Sequence, residues 1–164
     1  MMKAPIQSPK RPPAKFDSPE QEVFLGLWRT YDRLKALEDE LFATFDLTAQ
    51  QYNLLRLLGN VHPAALPTLE LAGRLVSRAP DITRMLDKLE QRGFIRRERP
   101  PEDRRVVHVV LTDAGVDLLE TLSEPLRKCH EKQLGHLSKA ELKSLSTLLR
   151  SARTVHESEQ SVWR

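Results

Sequence analysis

The chain has 164 residues, of which 40 % are hydrophobic and 30 % charged, with a formal net charge of +3 and one cysteine. That length suits a single domain able to bury a core. The lone Cys129 excludes an internal disulfide framework and a paired-cysteine metal knuckle, and no apolar run approaches the roughly 20 residues that span a bilayer. No signal-peptide core follows the N-terminus, so the expectation is a cytoplasmic protein with no membrane partner.

Residues 1–17 carry Pro5, Pro9, Pro12 and Pro13 beside Lys3, Lys10, Arg11 and Lys15, a composition that resists helix formation and prefers water. A flexible basic arm is expected, either simply solvated or brushing phosphates. Order begins where Ser18 and Gln21 have capping-box spacing and Pro19 fits the first helical position. A long helix then runs to about Phe45, with Phe24, Leu27, Tyr31, Leu34, Leu41 and Phe45 forming a stripe, interrupted by Glu38, that wants a partner helix. Trp28 sits beside the stripe, either as packing or as a wall of a ligand site.

A second capping box, Thr48 and Gln51, starts a helix over 48–60 that buries Tyr52, Leu55 and Leu58. Pro63, Pro67 and Thr68 mark a break, residues 66–68 can add a short strand, and 69–76 forms a short helix packing through Leu69, Ala72 and Leu75. A tight connection then leads to a helix over 79–92, with Ser77 as N-cap and Gly93 as the stop. On that helix Ile82, Met85, Leu86 and Leu89 form one apolar face, while Arg78, Asp81, Arg84, Lys88 and Gln91 fall opposite. Two helices joined this way are the arrangement of a helix-turn-helix, whose second helix enters the major groove of double-stranded DNA.

Residues 94–99 and 106–111 alternate as the strands of a hairpin, joined by the polar loop Pro100-Pro101-Glu102-Asp103-Arg104-Arg105, a candidate wing. Between Arg74 and Arg105 there are ten Arg or Lys against six Asp or Glu, a local excess of four positive charges that leaves the rest of the chain near neutral. Such a surface attracts phosphates through counterion release, although charged helix faces are also commonly just solvated. The candidate base and phosphate contacts are Ser77, Arg78, Asp81, Thr83, Arg84 and Lys88 on the helix, with Asp103, Arg104 and Arg105 at the wing. A carboxylate near phosphates is repelled unless it accepts from a cytosine amine or steers an arginine, so Asp81 is read as steering a neighbouring arginine.

Thr112 caps a long helix carrying Leu119, Leu122, Leu126 and Cys129, with Pro125 expected to bend it. Ser138 and Glu141 form a third capping box and start a helix with Leu142, Leu145, Leu149 and Ala152 on one stripe, ending near Glu157. These terminal helices exceed what one small lobe can cover, which points to pairing with a second subunit. Cys129 lies in the leucine seam and is read as packing, not as a redox switch. An enzyme finds little support: His62, His108, His130, His136 and His156 are scattered, and no HExxH, GxSxG or GxxxxGK pattern is present. Neither a metal nor a cofactor is expected. A winged helix that binds protein instead of DNA remains the alternative, disfavoured by the local charge.

The spacing D-x-R-x5-L-T-x-x-G, met here by Asp103, Arg105, Leu111, Thr112 and Gly115, follows the run D-I-T-R-M-L-D-K-L-E-Q-R-G-F-I-R-R. Together they resemble the multiple-antibiotic-resistance regulator (MarR) family, closely over about 47–115 and loosely in the flanking helices. The resemblance implies a mainly α (α+β) fold, a winged helix-turn-helix with long N- and C-terminal dimerisation helices. It divides the chain into an arm (1–17), a single domain (18–157) and a tail (158–164). Within the domain, 18–46 and 112–157 would dimerise and 47–111 would form the DNA lobe. It further implies a homodimeric transcriptional regulator, commonly a repressor, that reads a palindromic operator and is released by a small anionic or phenolic effector. Arg105 would enter or line the minor groove with Asp103 orienting it, and Arg104 would contact phosphate. By the same analogy a ligand cleft lies between the dimerisation helices and the DNA lobe; the analogy assigns it no residues, and Trp28, Arg29 and Tyr31 of the first helix are taken as its candidates.

Overall fold

The computed structural model describes residues 15–76, 81–101, 103, 105–159 and 161–163. In chain order the elements are α1 (Pro19–Ala43), α2 (Ala49–Gly59), β1 (Leu66–Pro67), α3 (Thr68–Arg74), α4 (Ile82–Gln91), β2 (Ile95–Glu98), β3 (His108–Leu111), α5 (Asp113–Leu134) and α6 (Lys139–Thr154). The fold is therefore mainly helical with one small sheet, as expected. The chain divides into two compact units between Leu34 and Lys35.

In the first unit, Ser18 Oγ accepts the Gln21 N–H at 3.2 Å and so caps the start of α1. The reciprocal half of the expected capping box is absent, because Gln21 Oε1 takes the Asp17 N–H at 2.7 Å instead. Along this part of α1, Val23, Phe24, Leu27, Trp28 and Tyr31 are exposed, and Phe24 and Trp28 meet edge to face at 6.2 Å. Large apolar side chains gathered on one exposed helix segment are the mark of a surface that something covers.

The second unit holds the core. Phe42 at the end of α1 is fully buried and stacks on Tyr52 of α2 with ring centroids 4.9 Å apart. The sequence stripe ran through Leu41 and Phe45, which pack only partly around it. The capping box of α2 forms in full, with Thr48 Oγ1 accepting from the Gln51 N–H and Gln51 Oε1 accepting from the Thr48 N–H. Leu54, Leu55 and Leu58 of α2 then join Leu71 and Leu75, Met85, Leu86 and Leu89 of α4, Ile95, Val109 and Leu111 of the sheet, and Leu122 and Leu126 of α5. Each such side chain contributes roughly 1.5–3 kcal/mol through burial.

The expected packing of the short helix is corrected in one respect: Leu69 is 88 % exposed and Leu71 is the residue fully buried. Pro67 occupies the N-cap of α3 without a side-chain bond, while Thr68 donates both its N–H (2.9 Å) and its hydroxyl (3.0 Å) to the Val107 carbonyl. That pair of hydrogen bonds fixes the helix phase, and the next residue, Leu69, faces outward. β1 is the third strand anticipated at 66–68, and the antiparallel order is β1-β3-β2, with Leu66 opposite Val109 and Glu98 opposite His108.

Thr112 caps α5 by accepting the Gly115 N–H at 3.2 Å, and α5 runs through Pro125. Ser138 and Glu141 form their capping box at α6, which ends at Thr154, and none of its residues is buried. On α5, Cys129 is half-buried, and burial, with Glu38 adding to it, pushes its thiol up from the ordinary range. The neighbouring His130 turns to Glu38, with Nε2 and Oε1 3.3 Å apart, so the two residues do not form a thiolate–imidazole pair. We expect Cys129 to alkylate more slowly at neutral pH than a small free thiol. A rate equal to or above the free thiol would identify an activated cysteine instead.

Candidate nucleic-acid interface

The exposed face of α4 is built by its cap and its apolar stripe together. Asp81 is the N-cap, its Oδ1 accepting the Arg84 N–H at 2.9 Å, so the helix starts at Ile82 and not at residue 79. The carboxylate therefore meets a neighbouring arginine, Arg84, at its main-chain N–H. Met85, Leu86 and Leu89 are buried, which leaves Thr83, Arg84, Lys88 and Gln91 exposed on the other side. Ser77, Arg78 and Arg104 lie outside the described residues.

Several cations counted in the local charge are committed within the fold. Arg97 of β2 forks onto Glu90 of α4, with Nε and Oε2 2.8 Å apart, and reaches Asp87 Oδ1 at 2.7 Å. Its own N–H also goes to Glu90 Oε1, at 2.8 Å. The hydrogen bonds from Arg97 hold the Glu90 carboxyl below its usual range. Arg74 pairs with Glu70, and Arg96 with Glu98 at 2.9 Å. Among the described residues no acceptor is placed on the side chains of Arg84, Lys88, Arg99 or Arg105. The positive surface is thus narrower than the count suggests, and it consists of the α4 face and the hairpin ends.

At the hairpin tip Asp103 Oδ1 accepts the Arg105 N–H at 2.9 Å, and the Asp103 carbonyl accepts the Val106 N–H at 3.2 Å. The acid orients Arg105 by its backbone, and the Arg105 side chain projects exposed. Arg99, opposite the wing's return strand, and the ion-pair network of Arg97 were missed by sequence reasoning. Charge alone does not tell a paired arginine from an available one.

Two hollows matter for ligands. A shallow recess of about 270 Å³ in the first unit is lined by Leu25, Trp28, Arg29 and Asp32. It brings together two of the three residues expected at a ligand site, but Tyr31 is not among its walls. A larger cleft of about 550 Å³ in the second unit has Leu111, Val116, Leu119 and Leu126 as apolar walls, with Tyr52, Arg56 and Arg127 among its polar groups. Burial pushes the Tyr52 phenol up. Arg127 is held by Glu124 at 2.8 Å and Glu131 at 3.2 Å, and its hydrogen bonds bring the Glu124 carboxyl down to about 2. Arg56 donates only to the neutral Asn53 Oδ1, at 2.8 Å, among the described residues. None of its residues was assigned to a ligand from the sequence, because most of its walls come from α2 and α5, about sixty residues apart along the chain.

A helix-turn-helix whose second helix passes directly into a two-stranded wing, closed by a short third strand, defines a winged helix-turn-helix protein. The chain belongs to the MarR family of such transcription regulators, whose family model matches residues 47–107. A crystal structure of a MarR transcription factor from Planctomyces limnophilus is 58 % identical with a TM-score of 0.66, covering 82 % of this chain and 98 % of that one. The transcriptional repressor MprA of Escherichia coli is 28 % identical over 136 residues, 82 % of this chain and 77 % of that protein. The structure of Bordetella bronchiseptica BpsR, described with the regulation of its DNA binding by 6-hydroxynicotinic acid, is 25 % identical with a TM-score of 0.73, covering 85 % of this chain and 97 % of that one. No helix among the described residues is long and apolar enough to cross a membrane, and no group of His, Cys, Asp and Glu among them is set to hold a metal ion.

Proposed function

We propose that the protein is a cytoplasmic, homodimeric repressor that reads a palindromic operator, with no enzymatic activity of its own. The observation that carries this reading is the α4 face, where Thr83, Arg84 and Lys88 stand exposed on a helix locked to the wing by Glu90 and Arg97. α4 enters the major groove, and Arg105, turned out by Asp103, reaches the adjacent minor groove. Ser77, Arg78, Asp81 and Arg104 remain in the proposed contact set, Asp81 through its cap. Selection of binding sites from random duplexes, followed by a gel shift on the recovered sequence and on the protein's own promoter region, tests it. Enrichment of no sequence would favour the protein-binding alternative.

The subunits pair through residues 18–46 and 112–157. Support comes from the exposed side chains of α1 and from α6, none of whose residues is fully buried within one chain. Sedimentation at micromolar concentration is expected to give a single dimeric species; a well-folded monomer would remove the argument.

The effector is a small aromatic acid held in the cleft between α2 and α5, its ring against Leu111, Val116 and Leu119 and its carboxylate on Arg56, whose only described partner is neutral. The regulation of BpsR's DNA binding by 6-hydroxynicotinic acid supports the type of control. Trp28 and Arg29 stay as the competing site. A thermal-shift screen of aromatic and dicarboxylic acids, 6-hydroxynicotinic acid among them, identifies ligands, and each hit must weaken DNA binding by the same factor by which DNA weakens the hit. Loss of the shift in Trp28→Ala but not in Arg56→Ala would move the site to α1.

A further inference from the structure

α1 is followed by turn residues 44–46, where Asp46 has a left-handed φ of 52°. The N–H groups of Thr44, Phe45 and Asp46 bond back to Leu41, Phe42 and Ala43. The carbonyls of Phe45 and Asp46 lie just past the end of a helix, where the aligned peptide dipoles leave negative charge. A donor to both comes from 46 residues further along the chain than Asp46: Arg92 gives Nη1 to the Asp46 carbonyl and Nη2, at 3.0 Å, to the Phe45 carbonyl. Arg92 is itself the C-cap of α4. Its guanidinium lies over the Phe94 ring, 4.8 Å from the centroid, which fixes the plane of the fork.

The next two residues hold the opposite side. The Gly93 carbonyl accepts the Thr112 hydroxyl at 2.6 Å, and the Phe94 carbonyl accepts the Thr112 N–H at 3.1 Å. Gly93 adopts φ +75°, so the chain reverses within a single residue. Residues 92–94 thus join the end of the exposed helix α4 to the end of α1 on one side and to the start of α5 on the other. α1 and α5 are the two long helices that flank the lobe in sequence.

We infer that Arg92 is a positioning residue for DNA reading: its fork onto the end of α1 fixes the angle at which α4 is presented, without touching DNA. This rests on the proposed reading of α4 as the groove-entering helix of a dimer. In a dimer the angle of α4 sets the separation and twist of the two half-sites that can be engaged at once, and half-site spacing is a geometric quantity. Loosening the fork leaves each lobe competent on its own half-site while relaxing the demand for one spacing. Lysine cannot replace arginine here, since an ammonium cannot span two carbonyls as a planar fork does.

The test uses the full-length protein, the operator recovered by selection, and duplexes in which the half-sites are moved by one base pair in either direction. Wild type, Arg92→Lys and Arg92→Gln are titrated on all three at two salt concentrations, with melting temperatures recorded. Both variants are expected to lose about tenfold on the native spacing, the range of one charge-assisted hydrogen bond, and to show a much smaller penalty than wild type for the shifted duplexes. Their salt slopes stay at the wild-type value. A spacing penalty equal to wild type in Arg92→Lys overturns the inference, and so does a salt slope lower by about one unit per subunit, which would make Arg92 a phosphate contact. If Arg92→Gln fails to fold, Arg92→Lys alone decides. Recovery of no operator, or of a single half-site, instead sinks the proposed function and is read separately.

Discussion

Truncating Arg84 to alanine is expected to weaken binding to the operator by roughly 1–3 kcal/mol per half-site while changing affinity for scrambled duplex little. The side chain is exposed on the α4 face, and its own N–H is held by Asp81, so its root is fixed and its guanidinium is available to fork onto a base edge. Arg105→Ala should behave differently. An arginine in the minor groove senses width and potential more than base identity, so its loss lowers affinity on both duplexes, reduces the salt slope by about one unit per subunit, and blunts preference for A·T-rich flanks. Titrations of both variants at two salt concentrations separate the roles. Wild-type behaviour of Arg105→Ala would leave the hairpin a purely structural element. Equal losses of Arg84→Ala on operator and scrambled DNA would make Arg84 a phosphate clamp, with sequence read by Lys88, Thr83 or their neighbours.

Gly115→Ala is expected to be strongly destabilising, at or above the upper end of the roughly 1–3 kcal/mol typical of overpacking. A Cβ at Gly115 would stand 2.3 Å from the Phe94 carbonyl oxygen and 2.6 Å from Leu111 Cδ1. The oxygen cannot withdraw without breaking its bond to the Thr112 N–H, and with it the start of α5. Gly59→Ala provides the comparison. Its Cβ meets Leu119 Cδ1 at 2.8 Å, the far end of a side chain that can rotate away, and alanine favours the helix end by up to about 1 kcal/mol. Urea titration should place Gly115→Ala far below wild type and Gly59→Ala near it. Coincident midpoints for the two variants would show that the contact between Phe94 and Gly115 yields freely.

The features legible in the sequence were those written in short range. The caps at Thr48, Thr112 and Ser138 each need only a hydroxyl three residues before a helical N–H, and all three form. The stripe of α4 spans enough turns to fix its phase, and Gly93 stops it where a left-handed residue is required. α3 has only seven residues, too few to set a phase by periodicity, and a long-range bond from Thr68 to Val107 chose Leu71 over Leu69 for the core. The start of α4 was misplaced because Ser77 and Asp81 are equally good caps on paper. Arg92, Arg97 and the walls of the cleft between α2 and α5 stayed hidden for a common reason. Arg92 and the cleft depend on partners tens of residues away, and Arg97's acceptors, although close in sequence, sit on a helix whose angle to the strand no local pattern states.

The sheet is closed to growth on both sides. Its β1 edge ends in Pro67, which has no N–H to offer a further strand. On the β2 edge the Arg97 N–H is already taken by a carboxylate from α4, and Arg96 and Glu98 stand charged along the rest. A polypeptide approaching in extended form therefore finds no ladder to join, and the lobe is protected from the edge-to-edge pairing that leads small sheets into aggregates. Among the described residues, most of the exposed large apolar side chains lie on helices instead. The wing stays unencumbered, and any concentration-dependent precipitation of this protein should trace to the apolar side chains of α1 and α6.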